Sequence, residues 1–312
     1  MKNIILAGSI AFDHLMKYKG LFKDSLIDGE LDKLSISFLA PDRQIYHGGC
    51  AANIAYALNL LDESPMITGV AGNDFEGYKK SLEKCGISTE CIKISKDNPT
   101  AAAFILTDTD QNQISIFSPG AMADLDLCMN LDECMCKNTF CALISPGMPE
   151  RMLSLAQSCI DLKIPFIFDP GQAISALGTD SLGLLIDCCW GMVTNHYELE
   201  LLESKLSLSR RQISAKAGFM VVTRGKEGCD IYKGGTSQHV DAVSDLSVID
   251  ITGAGDAFRA GLLHGLNSGT DLKRACEIAS TTASYSVVTN GTQNFKFTTA
   301  EFNKKLIEFY RE

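Results

Sequence analysis

The segment Asp250-Ile251-Thr252-Gly253-Ala254-Gly255-Asp256-Ala257-Phe258 places two glycines and a carboxylate at the head of a helical pattern that continues through Arg259–Leu266. Glycines ahead of a helix let the backbone approach a ligand closely. The first N–H groups of the helix have no partner of their own, so with the dipole they make an anion site. Asp256 within such a site has two readings: a helix N-cap, or a general base beside a cradle for a transferring phosphoryl group. His47-Gly48-Gly49-Cys50-Ala51-Ala52-Asn53 leads into another helix. Gly48 and Gly49 allow close backbone approach, and Asn53 on the first turn can bond sugar hydroxyls or sit at the surface. In Asn195-His196-Tyr197-Glu198, Asn195 and Glu198 fit a capping box or a place near Mg²⁺, directly or through water. No GxxxxGK[ST] run exists, and Phe258 stands where a GxGxxG fingerprint needs its third glycine, which argues against a Walker loop and a Rossmann dehydrogenase.

The elements that must carry these residues alternate. Strands are predicted at Ile4–Gly8, Met66–Ala71, Cys141–Ser145, Pro165–Asp169, Gly191–Asn195 and Met220–Thr223. Amphipathic helices are predicted at Ala51–Leu61, Phe75–Cys85, Glu150–Leu162 and Glu198–Leu202. Strand–helix alternation with continuous apolar strands implies an α/β fold, a mostly parallel central sheet covered on both faces. Two pieces break the pattern. Leu34–Leu39 and Gln44–His47 look extended, and Thr100–Thr107 with Gln113–Phe117 flank a polar turn at Asp108–Asn112. We read residues of about 13–47 and 91–118 as one small β-sheet lid inserted in a single domain spanning 1–312. The sequence leaves the oligomeric state open, and since an exposed lid of this kind often pairs with its twin, a homodimer through it is one arrangement.

Composition excludes other classes. The 312 residues carry a formal charge of −10 and no long basic run, so nucleic-acid binding is not expected. The apolar run Ile4–Ala7 is too short for a signal peptide or a membrane span. Twelve cysteines are scattered without a CxxC, as in a cytoplasmic protein whose thiols are reduced core fillers.

Four motifs occur in one family's order. Asp250–Phe258 resembles the C-terminal signature of PfkB (ribokinase) family kinases, and Gly48-Gly49 with Asn53 resembles their N-terminal signature. Asn195-x-x-Glu198 resembles their Mg²⁺/phosphate motif, and Thr223-Arg224-Gly225 with Gly228 their nucleotide-binding turn. Gly8–Met16, Ser35–Leu39, Phe117–Met122, Asp169–Gln172, Asp256–Gly261 and Gly291–Gln293 further resemble the bacterial adenosine kinases of that family. The resemblance implies a ribokinase-like three-layer α/β/α sandwich with a β lid, ATP and Mg²⁺ as cofactors, and adenosine as phosphoryl acceptor at its 5′-hydroxyl.

It also implies roles. Asp256 would be the base, with the Gly253, Ala254 and Gly255 N–H groups stabilising the transferring phosphoryl group. Asp13 and Asn53 would grip the ribose beside Gly48 and Gly49. Ser9, Ser37 and Gln172 would line the nucleoside pocket, and Phe104 and Phe117, projecting from one face of the lid hairpin, would sandwich the adenine. Asn195, Thr223, Gly225 and Gly228 would bind the nucleotide, with Glu198 near the metal. Two departures bear on the base: Ala173 stands where the branch often has a second Gln, and Ser118 where the family usually has an aromatic. A sugar kinase of the same family and a catalytically silent nucleoside-binding protein are the alternatives.

Overall fold

The computed structural model describes residues 2–25, 36–110, 112–127, 131 and 137–311. The described residues form thirteen strands, in chain order β1 (Asn3–Ala7), β2 (Ala11–Lys17), β3 (Arg43–Gly48), β4 (Pro65–Ala71), β5 (Ile92–Ile94), β6 (Ala101–Thr107), β7 (Gln113–Ser118), β8 (Thr139–Ile144), β9 (Phe166–Phe168), β10 (Gly191–Asn195), β11 (Met220–Thr223), β12 (Cys229–Lys233) and β13 (Thr236–Val240). Nine form one sheet in the order β13-β12-β11-β10-β9-β8-β1-β4-β5. The run from β11 through β5 is parallel, and β12 and β13 add an antiparallel edge.

The pleat explains why the central strands are apolar throughout. Ile4, Leu6, Cys141, Leu143, Val193 and Val221 belong to one core. Their immediate neighbours Ile5, Ala7, Ala142, Ile144, Met192 and Met220 belong to the other. Successive side chains point to opposite faces, so a strand buried on both sides has no polar position to spare. Helices Cys50–Leu60, Glu76–Lys84, Ala254–Asn267 and Leu272–Ser286 cover the first face. Pro149–Asp161, Thr179–Cys188, His196–Leu206 and Arg210–Lys216 cover the second. This is the expected three-layer α/β/α arrangement. The carboxyl ends of β8, β9, β10 and β11 open on one crevice, through Pro146, Asp169, Asn195 and Thr223, where open parallel sheets bind ligands.

The lid is the four-stranded sheet β3-β2-β6-β7. Strand β2 pairs antiparallel with β3 and parallel with β6, and β6 pairs antiparallel with β7. Three expectations change here. Ile92–Ile94 pairs in parallel with β4 and so extends the main sheet, although it lies inside the stretch 91–118 assigned to the lid. The extended segment expected at Leu34–Leu39 falls partly outside the described residues, and its described part, 36–39, is in no strand. Ser35, from the quoted Ser35–Leu39 run, also lies outside the described residues.

The third change concerns register. Phe117 pairs with Ala103, which pairs with Asp13, whereas Phe104 pairs with Ile116 and with His14. Directly paired residues share a face, and adjacent ones take opposite faces. Phe117 therefore lies on the face that carries Asp13, and Phe104 lies on the opposite face with its ring stacked on His14, centroids 4.6 Å apart. The two phenylalanines cannot sandwich one base. Counting from a turn leaves the pairing register open by one residue, and one residue inverts the face.

Candidate active site

Helix Ala254–Asn267 begins after Gly253, its N-cap, which has φ 79°. A side chain at 253 would be strained by that φ and would place its Cβ 2.7 Å from Thr292 Cγ2. Asp256 is thus the third residue of the helix and not its cap, and it makes no capping bond. The Ala254 N–H turns back to Ile251 O at 3.2 Å, which takes it from the expected set of phosphoryl donors. Among the described residues the N–H groups of Gly253, Gly255 and Asp256 find no backbone acceptor. Those three unpaired donors, at the positive end of a helix dipole, form the anion site. Asp250 braces the loop from behind, accepting from Thr252 N (2.9 Å) and Gly291 N (3.0 Å).

The Asp256 carboxylate accepts from Asn53 Nδ2 at 2.8 Å. Burial raises its pKa from the ordinary 3.8 to about 6, and Asp169 adds to the rise, while the Asn53 bond and Arg259 work against it. Arg259 is pinned beneath. Its fork holds buried Asp169 through Nε–Oδ2 (2.5 Å) and Nη2–Oδ1 (2.6 Å), and its Nη1 donates to Gly255 O at 3.0 Å. A guanidinium matched bidentately to a carboxylate is a rigid brace. It stiffens the turn that carries Asp256. Composition gives no hint of this pair, and only the proximity of Arg259 to the Asp250–Phe258 run in sequence draws attention to it.

Asn53 is more heavily engaged than a free sugar-binding amide would be. Its Oδ1 accepts from Thr292 Oγ1 (2.8 Å) and Gln293 Nε2 (2.9 Å), which leaves one Nδ2 hydrogen for a ligand. Ser9 is buried, and its Oγ accepts from Cys50 N at 3.0 Å. It thereby caps helix Cys50–Leu60 from a neighbouring loop, because the N-cap residue, Gly49, has no side chain to do so.

Asp13 is 8 % exposed, and burial with the charges of Asp256 and Asp250 raises its pKa to about 7. Among the described residues no hydrogen bond contributes to holding its charge. Gly48 makes room for it: a Cβ there would lie 2.1 Å from Asp13 Oδ2. A buried carboxylate lacking donors is costly unless a ligand supplies them. Ser37 is exposed in an irregular stretch, and Gln172 is exposed on a short helix at the rim.

Beside Asp256 opens a cleft of about 870 Å³ lined by Gln172, Asn195, Glu198, Thr223, Gly225, Gly228 and the 253–256 turn. The structure thus brings together all four residues expected to bind nucleotide. Val248, Ile251, Ala283 and Val287 also line it and were missed, since isolated apolar residues on loops and a helix carry no sequence signal. Val248 and Ile251 are 58 % and 70 % exposed, an apolar surface suited to a flat base. Asn195 and Glu198 form a full capping box: Asn195 Oδ1 accepts from Glu198 N, and Glu198 Oε2 accepts from Asn195 N, each at 2.8 Å. Asn195 Nδ2 also donates to Glu198 Oε1 at 2.8 Å. Burial raises the Glu198 pKa, against the pull of Arg259. Among the described residues no cluster of three His, Cys, Asp or Glu could cage a metal. Glu198 beside Asn195 is a donor that would suit a Mg²⁺ carried on phosphates with its waters, met through water.

A ribokinase-like fold whose crevice holds an acid beside a helix-start anion site defines a phosphotransferase scaffold. The model of the pfkB family carbohydrate kinases matches residues 9–299, and the chain belongs to that family. A nucleoside kinase of Methanothermobacter thermautotrophicus is 30 % identical over 295 residues, covering 94 % of this chain and 91 % of that one. The solved nucleoside kinase of Burkholderia thailandensis in complex with inosine is 32 % identical with a TM-score of 0.91, covering 99 % of this chain and 98 % of that one. Its ADP-inosine complex gives a TM-score of 0.88 at the same identity, covering 99 % and 96 %. These relatives are nucleoside kinases in general and not adenosine kinases in particular, so the branch named from sequence is narrower than the relatives themselves. Among the described residues no helix is long and apolar enough to cross a membrane.

Proposed function

We propose that this chain is an ATP-dependent kinase that phosphorylates the 5′-hydroxyl of a purine nucleoside, with adenosine the expected acceptor and Asp256 the general base. The row Asp13–Ala103–Phe117 carries the nucleoside reading. Asp13 offers a buried carboxylate to ribose hydroxyls. Phe117, 40 % exposed and two strand spacings of about 4.8 Å away, offers a face to a planar base. The inosine bound by the Burkholderia relative is consistent with such an acceptor.

In the reaction, Asp256 takes the proton as the 5′-oxygen attacks the γ-phosphorus. The new O–P bond forms as the bond to the β-phosphate oxygen breaks, and ADP leaves. The Gly253, Gly255 and Asp256 N–H groups stabilise the equatorial charge, with Arg259 holding their turn rigid. Asn195 and Glu198 are the residues that would meet, through water, a Mg²⁺ carried on the ATP phosphates, and that ion would supply charge screening there. Asp256 at a pKa of about 6 is ionised at neutral pH yet basic enough to share a proton in flight.

The test is a panel of adenosine, inosine, ribose and fructose with ATP and Mg²⁺. The reading expects 5′-monophosphate from a purine nucleoside with kcat/KM at least ~100-fold above either sugar, in keeping with about 1–3 kcal/mol for base stacking plus its pocket. A sugar as the best acceptor would replace it with a sugar kinase.

A further inference from the structure

We propose that Tyr78, Gln293 and Asn53 form a hydrogen-bond relay, anchored on the lid, that holds Asp256 as a proton acceptor; Tyr78 and Gln293 are its positioning residues. The inference rests on Asp256 being the base. The chain of contacts is continuous. Asp256 Oδ2 meets Asn53 Nδ2 at 2.8 Å, Asn53 Oδ1 meets Gln293 Nε2 at 2.9 Å, Gln293 Nε2 meets the Tyr78 hydroxyl at 2.6 Å, and that hydroxyl meets Gly48 O at 2.9 Å.

Such a chain has two possible polarities, because an amide can turn end for end and a phenol can donate either way. Its last member decides. A backbone carbonyl only accepts, so Tyr78 spends its single proton on Gly48. The Tyr78 oxygen must then accept from Gln293, which presents its NH₂ group. The second hydrogen of that group goes to Asn53 Oδ1, and Asn53 is left with its own NH₂ facing Asp256. In this polarity Asp256 receives a donor and is favoured as the anion, ready to take a proton. In the reverse polarity Asn53 would turn its oxygen to Asp256, which suits only the protonated acid. Thr292 does not choose between them, since its one hydroxyl proton can go to His47 O (3.0 Å) or to Asn53 Oδ1 (2.8 Å).

The anchor belongs to the lid. Gly48 ends β3, and His47 beside it stacks flat on the Tyr78 ring, centroids 4.1 Å apart at 8°. Phe12 of β2 touches the same ring at 5.7 Å. Tyr78 itself is fully buried, and burial holds its hydroxyl protonated. The lid strand thus both clamps the ring and accepts its proton. A shift of β3 breaks the selecting bond, so the base is set for chemistry when the lid is seated.

The experiment compares wild type, Tyr78→Phe and Gln293→Met in pH profiles of kcat and kcat/KM with the best acceptor from the panel, alongside thermal unfolding. Tyr78→Phe keeps the ring packing and removes only the selecting proton; Gln293→Met keeps the volume and cuts the chain. The acid limb should move to higher pH by about one unit in both, so that turnover below the limb falls about tenfold. The KM for ATP and turnover on the alkaline plateau should change less than threefold. An unmoved acid limb in both variants, in enzyme that unfolds at the wild-type temperature, overturns the relay. So does a uniform drop in kcat at every pH, which is the mark of a merely structural role. If Asp256→Asn retains full turnover, the base assignment itself has failed, and the two failures are told apart by that variant.

Discussion

Replacing Asp256 with asparagine should make the protein more stable while it stops working. The carboxylate sits in the cleft floor with a pKa raised from 3.8 to about 6, chiefly by burial. A group that holds its proton more tightly in the folded than in the unfolded chain gives its full stability below pH ~4 and loses it as pH rises through about 6. A gap of about two pH units at 1.36 kcal/mol each is worth ~3 kcal/mol at pH 8. Asparagine has no charge to desolvate, and its side-chain oxygen can still accept from Asn53 Nδ2. Asp256→Asn should therefore raise stability by up to ~3 kcal/mol at pH 8, roughly 5 °C in Tm, and by almost nothing at pH 4. Turnover at pH 8 should fall about 10²–10⁴-fold, the usual contribution of a positioned base. The assay is thermal unfolding of both proteins at pH 4.5, 6 and 8, with turnover measured at pH 8. Near wild-type turnover would refute the base. A variant less stable than wild type at pH 8, or a stability difference that ignores pH, would refute the burial argument.

Three further outcomes follow from the same geometry. Ribose hydroxyls donating to Asp13 favour its anion, so nucleoside affinity should rise up to tenfold per pH unit and level off above about 7; calorimetry across pH 5.5–8.5 checks this, and a flat profile counts against Asp13 as the ribose ligand. Phe117→Ala should raise the nucleoside KM roughly 10–100-fold while Phe104→Ala, on the other lid face, changes it less than about threefold; equal effects would contradict the register. Desolvation holds the half-buried Cys50 thiol well above its ordinary pKa, so alkylation followed by mass spectrometry should find it slow beside exposed Cys85 and Cys188, and slower still with nucleoside bound; labelling of Cys50 as fast as that of Cys85 and Cys188 would refute the raised pKa.

Much of the scaffold is legible in the chain itself. The strands Gly191–Asn195 and Met220–Thr223 are found with the boundaries expected, because a strand buried on both faces must be apolar at each position and stops where polar residues begin. The edge hairpin β12–β13 was not foreseen: Thr236-Ser237-Gln238-His239 is exposed and carries no such pattern. The anion site is legible for the same local reason, since glycines before a helix act on the backbone of their own neighbours. Asp256 is different. Sequence leaves it between cap and base, and the structure removes the cap by putting Gly253 at that position.

What the sequence alone determined, then, is local: the two-faced strands, the helix-start donors at Gly253–Asp256, and the small-residue opening at Gly48. The partners of those groups were decided only by tertiary structure. Asn53 and Asp256 meet across 203 residues, Asn53 and Gln293 across 240, and Asp169 and Arg259 across 90. The face on which Phe104 lies was decided by strand register. Contacts of that range depend on how a long chain closes, and a pairing register depends on which slip buries the better face. Neither quantity is a property of any short window of residues.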